Sequence, residues 1–264
     1  MIPACKGLLP VFLFISLSGC NNKTSNDSND GLTDSTALIS CKMRLIGNDK
    51  LIGANTPITF HLQPVAQPHD SIPALETNNG IKVDCIITSN DLSYFSHVYA
   101  TKDSAGIYTI PATLPQGGEY LIIADYKAWG LTQQTDSFHI NVEGSVPKPV
   151  SYTAPMVSCN VDGYTVQLLS KKLLPNTQAM VIMKIFKDGK PVLPETLQPY
   201  LGEETHMVCI NTLTKEYIHA HSKSDPMSYW YLANFPGAGL YRVWIEFMSN
   251  NKVHTANFVV GVGV

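Results

Sequence analysis

Three histidines carry the strongest chemical signal in the chain. His206 leads an apolar run, and His219-Ala220-His221 follows it across Asn211-Thr212-Leu213-Thr214-Lys215. A hairpin turning near Leu213 sets His206 opposite His219 or His221, depending on a two-residue choice of register. Residues i and i+2 of a strand share a face, and directly opposed residues of an antiparallel pair share it too, with Cβ atoms about 5 Å apart. The three imidazoles are therefore expected on one patch, a donor set that suits copper or zinc. Val208, Ile210 and Tyr217 fall on the same face, so the patch also reads as core with hydrogen-bonded histidines. Met207 alternates away, and Met227 and Met248 are soft donors that the sequence does not place.

Earlier in the chain the matching positions are Asp84, His97 and Tyr99, and the Asp84–His97 spacing equals that from His206 to His219. One histidine stands where the later segment has three. That set reads as a degenerate equivalent site, although Asp, His and Tyr together can ligate iron or copper. The match belongs to a tandem duplication. Ile39-Ser40-Cys41-Lys42-Met43 aligns with Val157-Ser158-Cys159-Asn160-Val161, and Asn55-Thr56 with Asn176-Thr177. Pro115-Gln116-Gly117-Gly118-Glu119-Tyr120 aligns with Pro236-Gly237-Ala238-Gly239-Leu240-Tyr241, and Phe138 with Phe258. The offset drifts only from 118 to 122 across these matches.

The elements that must hold these residues are strands. Runs such as Thr59-Phe60-His61-Leu62, Lys82-Val83-Asp84-Cys85-Ile86-Ile87 and Ala179-Met180-Val181-Ile182-Met183-Lys184-Ile185-Phe186 are separated by Gly, Pro, Asn and Asp clusters. Asp188-Gly189 is a tight-turn signal, and only Leu193 to Gly202 has room for a short helical turn. Roughly seven strands per hundred residues predicts an all-β chain of two tandem immunoglobulin-like (Ig-like) β-sandwich domains. The expected bounds are 37–143 for the first, degenerate copy, 144–150 for a Pro-stiffened linker and 151–264 for the copy with the histidine cluster.

The N-terminus predicts where such a chain resides. Lys6 precedes an apolar run from Gly7 to Leu17, too short for the roughly 20 residues of a spanning helix. It ends in Leu17-Ser18-Gly19-Cys20, which resembles the lipobox of lipoprotein signal peptides. Residues 1–19 are the expected signal peptide. Cys20 is the expected lipidation site, and 20–36 a disordered tether poor in apolar residues. The lipid makes a membrane the first partner and places the protein in the bacterial envelope, outside the cytoplasm. A net charge of −3 with no basic run argues against nucleic acid.

The second copy carries further motifs. Tyr200-Leu201-Gly202, His206, His219-x-His221, Phe235-Pro236-Gly237-Ala238-Gly239-Leu240-Tyr241-Arg242 and Val253-His254-Thr255-Ala256-Asn257-Phe258 occur in order. In these the segment from Pro199 to Phe258 resembles a family of uncharacterised secreted bacterial proteins. The first copy echoes it through Ser89 to His97 and Ala124-Asp125, but has Asp84 and Tyr99 where the pattern has His. The resemblance implies envelope metal handling and an architecture like that of periplasmic copper-binding sandwiches.

Cys5 leaves with the signal peptide, so four cysteines remain besides Cys20. An exported chain permits the disulfides Cys41–Cys85 and Cys159–Cys209, with free buried thiols as the alternative. No nucleophile elbow, phosphate-binding glycine loop or paired-carboxylate motif is present, so no enzyme is expected. Asp125 and Glu246 are matched acids at strand ends, readable as a salt link or an exposed edge. His139 and His254 read as surface or core-edge residues, and Tyr229-Trp230-Tyr231 as core or as a binding stripe. The function expected is an envelope binding module for copper or zinc. The alternative is a structural or adhesion-type module acting through protein or glycan contacts, with an envelope protein as partner.

Overall fold

The computed structural model describes residues 40–47, 51–67, 70–77, 80–170, 172–200, 202–225 and 228–264. The expected signal peptide, Cys20 and the tether lie outside these residues. Among the described residues no helix is long and apolar enough to cross a membrane.

The first copy folds as two sheets. A four-stranded sheet runs in the order β1 (Ser40–Ile46), β3 (Pro57–Gln67), β7 (Tyr108–Thr113), β6 (Thr101–Lys102). A five-stranded sheet runs β2 (Ile52–Gly53), β9 (Gln134–Glu143), β8 (Gly118–Tyr126), β4 (Val83–Ser89), β5 (Phe95–Tyr99). Phe60, Leu62 and Ile110 of one sheet meet Cys85, Ile87, Ile122 and Tyr126 of the other in a single core.

The second copy comprises β10 (Ser158–Val161), β11 (Tyr164–Leu168), β12 (Gln178–Lys187), β13 (Lys190–Val192), β14 (Thr205–Asn211), β15 (Tyr217–Asp225), β16 (Ser228–Asn234), β17 (Gly239–Ser249) and β18 (Lys252–Val262). A 3-10 turn spans Pro194–Thr196, inside the stretch with room for one. Here β15 belongs to both layers. Its first part, through His221, pairs with β14, and Ser222 to Asp225 pair with β16. The matching strand of the first copy is interrupted at Ala100, which divides β5 from β6 and leaves two separate sheets. Val181, Met183, Tyr229 and Tyr231 face Met207, Cys209, Val243, Ile245 and Phe258 across the second core. Tyr229 and Tyr231 are thus core, with Trp230 alternating outward beneath Lys223.

Both copies carry a tyrosine corner, the Ig-type device in which a tyrosine hydroxyl bonds back to the backbone just upstream. Tyr120 donates to Gln116 O and Tyr241 to Gly237 O, each at 3.0 Å. The turn entering each strand needs a positive φ, and glycine supplies it at Gly118 (φ 122°) and Gly239 (φ 136°).

Register corrects one alignment. Cys41 lies on β1, paired to β3, whereas Cys159 lies on β10, one strand outside the β11 that pairs with β12. The two cysteines are therefore not equivalent. The disulfides Cys41–Cys85 and Cys159–Cys209 are not formed, and all four thiols are free. Cys159 sits half-buried against β18, where Asn257 N approaches its Sγ at 3.5 Å, while Cys209 is sealed in the core between β15 and β17. Cys41 lies beside Tyr126 and Asp136, and Cys85 is fully buried. Burial pushes the Cys41, Cys85 and Cys209 thiols up, so they persist as protonated apolar groups.

A half-exposed strand alternates, as β9 and β12 do. By contrast β14 is buried at every residue, β4 from Cys85 to Thr88, β8 from Tyr120 to Tyr126 and β17 from Tyr241 to Phe247. These strands are covered on both faces. Their second faces meet each other. Ile86, Leu92, Leu121 and Ile123 of the first copy and Val208, Ile210 and Trp244 of the second form a third core, with Phe95 stacked on Trp244 at 4.6 Å between ring centroids. The linker is pinned beside it, Val150 N donating to Asp91 and Tyr152 O–H to Leu92 O, with the Arg242 guanidinium over the Tyr152 ring.

Replacing Tyr241 with Phe is expected to remove the corner bond and cost about 1 kcal/mol in urea unfolding. Gly239→Ala, which forces an L side chain into a positive φ, is expected to cost on the order of 1–3 kcal/mol.

Candidate functional site

Each copy contributes matched positions from the same three strands. β4 pairs with β5 and β8, so Asp84 lies between Tyr99 and Asp125; β14 pairs with β15 and β17, so His206 lies between His221 and Glu246. His97 is opposite Ile86, and His219 opposite Val208. Alternation turns Cys85, Val98 and Ala124 into the first core and Met207, Ile218 and Ile245 into the second. Asp84, His97, Asp125, His206, His219 and Glu246 therefore share the opposite faces, which dock on each other. The register sets His206 opposite His221 rather than His219. His206 and His219 still come together, at 5.7 Å between ring centroids. The third ring beside them is His97 of the other copy, 5.8 Å from His206 and 5.6 Å from His219.

His97 is the hub. Its Nε2 donates to Asp84 Oδ1 at 2.6 Å and its Nδ1 to Glu246 Oε2 at 2.5 Å, with no exposure of its side chain. Both nitrogens face carboxylates, so the ring is an imidazolium with one counterion from each copy. Burial opposes that charge, but hydrogen bonds and Coulomb attraction from Asp84 and Glu246 outweigh it and raise the His97 pKa to about 10. For Asp84 burial again opposes ionisation, and His97 overrides it, holding the carboxyl below its ordinary value.

The reciprocal contact is looser. His219 Nδ1 lies 3.4 Å from both Asp125 Oδ2 and Asp84 Oδ2. Gln133 donates to Asp125 at 2.5 Å, and the Tyr217 hydroxyl approaches the same carboxylate at 3.4 Å. His206 Nε2 donates to Tyr200 O at 2.8 Å, and burial lowers its pKa to about 4, leaving it neutral. Tyr99 borders His97 at 5.6 Å between centroids, and burial, then the Asp84 charge, pushes its phenol up. His254 is elsewhere, bonded to Asp162, and His139 is exposed beside Glu119.

His206 and His219 of the expected cluster and Asp84, His97 and Tyr99 of its degenerate equivalent thus meet in one inter-copy site, while the His221 side chain lies outside the described residues. Asp125 and Glu246 are internal to it rather than at an exposed edge. The signal that finds this arrangement is the missing alternation in Cys85-Ile86-Ile87, Leu121-Ile122-Ile123-Ala124 and Met207-Val208-Cys209-Ile210, which demands cover on both faces. The atoms of Asp84, His97 and His219 that could ligate a metal all lie within 4.8 Å of one another.

Removing the cation by His97→Ala leaves two buried carboxylates uncompensated and is expected to cost about 3–5 kcal/mol in equilibrium unfolding. In the metal-free chain the His97 contribution is complete below about pH 6.5, where the unfolded imidazole is charged as well. It declines above that and is gone once pH passes about 10. The Asp84 contribution is present above about pH 4 and is lost in acid as the pH falls through its lowered pKa. Urea midpoints across pH for wild type and His97→Ala should converge at high pH.

Residues 159–263 match a family described as a domain of unknown function (DUF8832), so the match spans the second copy. A search of curated proteins finds no match. Among solved structures the chain is similar to FdeC, an Escherichia coli adhesin, at 12% identity and TM-score 0.28, covering 85% of this chain and 64% of that one. It is also similar to domains 5–6 of the S-layer protein SbsC, at 13% identity and TM-score 0.27, covering 84% and 96%. A third is invasin, a bacterial integrin-binding protein, at 12% identity and TM-score 0.26, covering 83% and 39%. The chain spans less than two thirds of the adhesin's length. The Ig-like character of the chain lies in its paired sheets and two tyrosine corners.

Proposed function

We propose that the chain is a lipid-anchored, extracytoplasmic contact module: two Ig-like sandwiches locked face to face, which offer their remaining surface to a protein or glycan partner in the bacterial envelope. The observation that carries this reading is the third core, where Ile86, Leu92, Leu121 and Ile123 seal against Val208, Ile210 and Trp244. A pair held in one orientation presents its loops already ordered, which lowers the entropic cost of engaging a partner. Trp129 and Leu213, 69% and 86% exposed on the β8–β9 and β14–β15 loops, are large apolar side chains placed for such contact. The His–carboxylate cluster is closed to a substrate, since the side chains of His97 and Glu246 are 0% and 6% exposed. The anchor rests on Leu17-Ser18-Gly19-Cys20 and the apolar run before it, where an acylated cysteine gains about 0.8 kcal/mol per buried methylene.

Trp244→Ala is expected to cost about 3–5 kcal/mol and to open the inter-copy contact, so that limited proteolysis cuts the 144–150 linker faster than in wild type. Cys20→Ser is expected to move the protein from the membrane to the soluble fraction. Trp129→Ala and Leu213→Ser should weaken binding of the purified chain to bacterial envelope preparations without changing its melting temperature. Wild-type protein that binds no envelope component, and stays soluble with Cys20 intact, would overturn the reading.

A further inference from the structure

We propose that the inter-copy cluster is a binding site for one Zn²⁺ ion, with Asp84, His97 and His219 as ligands and Glu246 as the positioning partner of His97. The inference rests on the face-to-face packing of the copies, because no single copy holds the set. Asp84 and His97 come from the first, His219 and Glu246 from the second.

Three observations carry it. The candidate ligand atoms lie within 4.8 Å of one another, on side chains 0% to 15% exposed. The imidazole rings of the two histidine ligands, His97 and His219, stand 5.6 Å apart, centre to centre. Zn–N bonds of 2.0–2.1 Å at tetrahedral angles put ring centres about 5 Å apart, so the cluster needs only a small contraction. Finally, His97 already has the second-shell arrangement common to zinc sites, its Nδ1–H given to a carboxylate and its Nε2 turned towards the remaining ligands.

The exchange balances simply. Zn²⁺ takes the place of the proton between His97 Nε2 and Asp84 Oδ1, and that proton leaves to solvent. The Nδ1–H stays with Glu246. The two atoms, now 2.6 Å apart, separate to about 3.3 Å to share a tetrahedral ion, a movement of under about 1 Å. No electron changes hands. A metal also accounts for a polar cluster set beside Phe95 and Trp244, since apolar residues at a buried ion-pair site often give equal or greater stability.

The test is titration of the full-length chain, purified in detergent and stripped with EDTA, with Co²⁺ and then Zn²⁺. One equivalent of Co²⁺ should bring up the visible absorption of a tetrahedral site, and Zn²⁺ should displace it. Asp84→Asn, His97→Gln and His219→Gln should each weaken Zn²⁺ binding at least about tenfold, and Glu246→Gln by about 10–100-fold. His139→Gln, remote and exposed, should leave it unchanged. Near-UV circular dichroism on each variant confirms folding, and the wild-type titration needs no variant. Folded wild-type protein that binds neither ion below millimolar concentration overturns the proposal, as does unchanged affinity in folded His97→Gln and His219→Gln. If Zn²⁺ fails to bind while the 144–150 linker resists protease, the metal falls alone. Rapid cutting of that linker in wild type removes the packed-copy reading with it.

Discussion

The buried imidazolium of His97 is satisfied by two carboxylates that belong to different copies, and much of the architecture serves to keep them there. Asp84 reaches it along its own sheet, and Glu246 reaches it only while the second copy is docked. The apolar contacts of Trp244, Ile86 and Val208 supply attraction but no register, because burial of hydrocarbon is non-directional. The ion pairs supply direction. Sliding one face past the other by a residue pair would leave a buried charge without its partner, a loss of several kcal/mol.

Much of this was legible from residue types. Strand runs, turn residues and the duplication follow from local chemistry, and the sheets bear them out. The hairpin reading gathered His206 with His219 and matched Asp84 and His97 to them. What local pattern could not supply was the partner of each outer face. Val208 and Ile210 are core, with Tyr217 packed at its margin, though the cover is the other copy rather than the opposite sheet of their own. Comparing the copies in alignment made Asp84 look like a lost histidine; docking them makes it the counterion of His97.

The cysteines show a different limit. Ser-Cys recurs at Ser40-Cys41 and Ser158-Cys159, so residue type alone aligns the two cysteines. Yet β1 pairs directly with the long β3, whereas Cys159 lies on an additional strand beyond the corresponding pair. A two-residue identity is weak evidence beside a hydrogen-bonded ladder. The same displacement separates Cys159 from Cys209 and leaves both thiols free.

His97 with Glu246 and His219 with Asp125 are the same contact made twice in opposite directions, the signature of an isologous interface. Two identical chains meeting this way must carry the same residue at each pair of matched positions. Joining both halves in one polypeptide lifts that constraint. The position that reads Asp84 in one half can read His206 in the other, and a symmetric seam becomes a polarised one that a separate pair of equal subunits could not build.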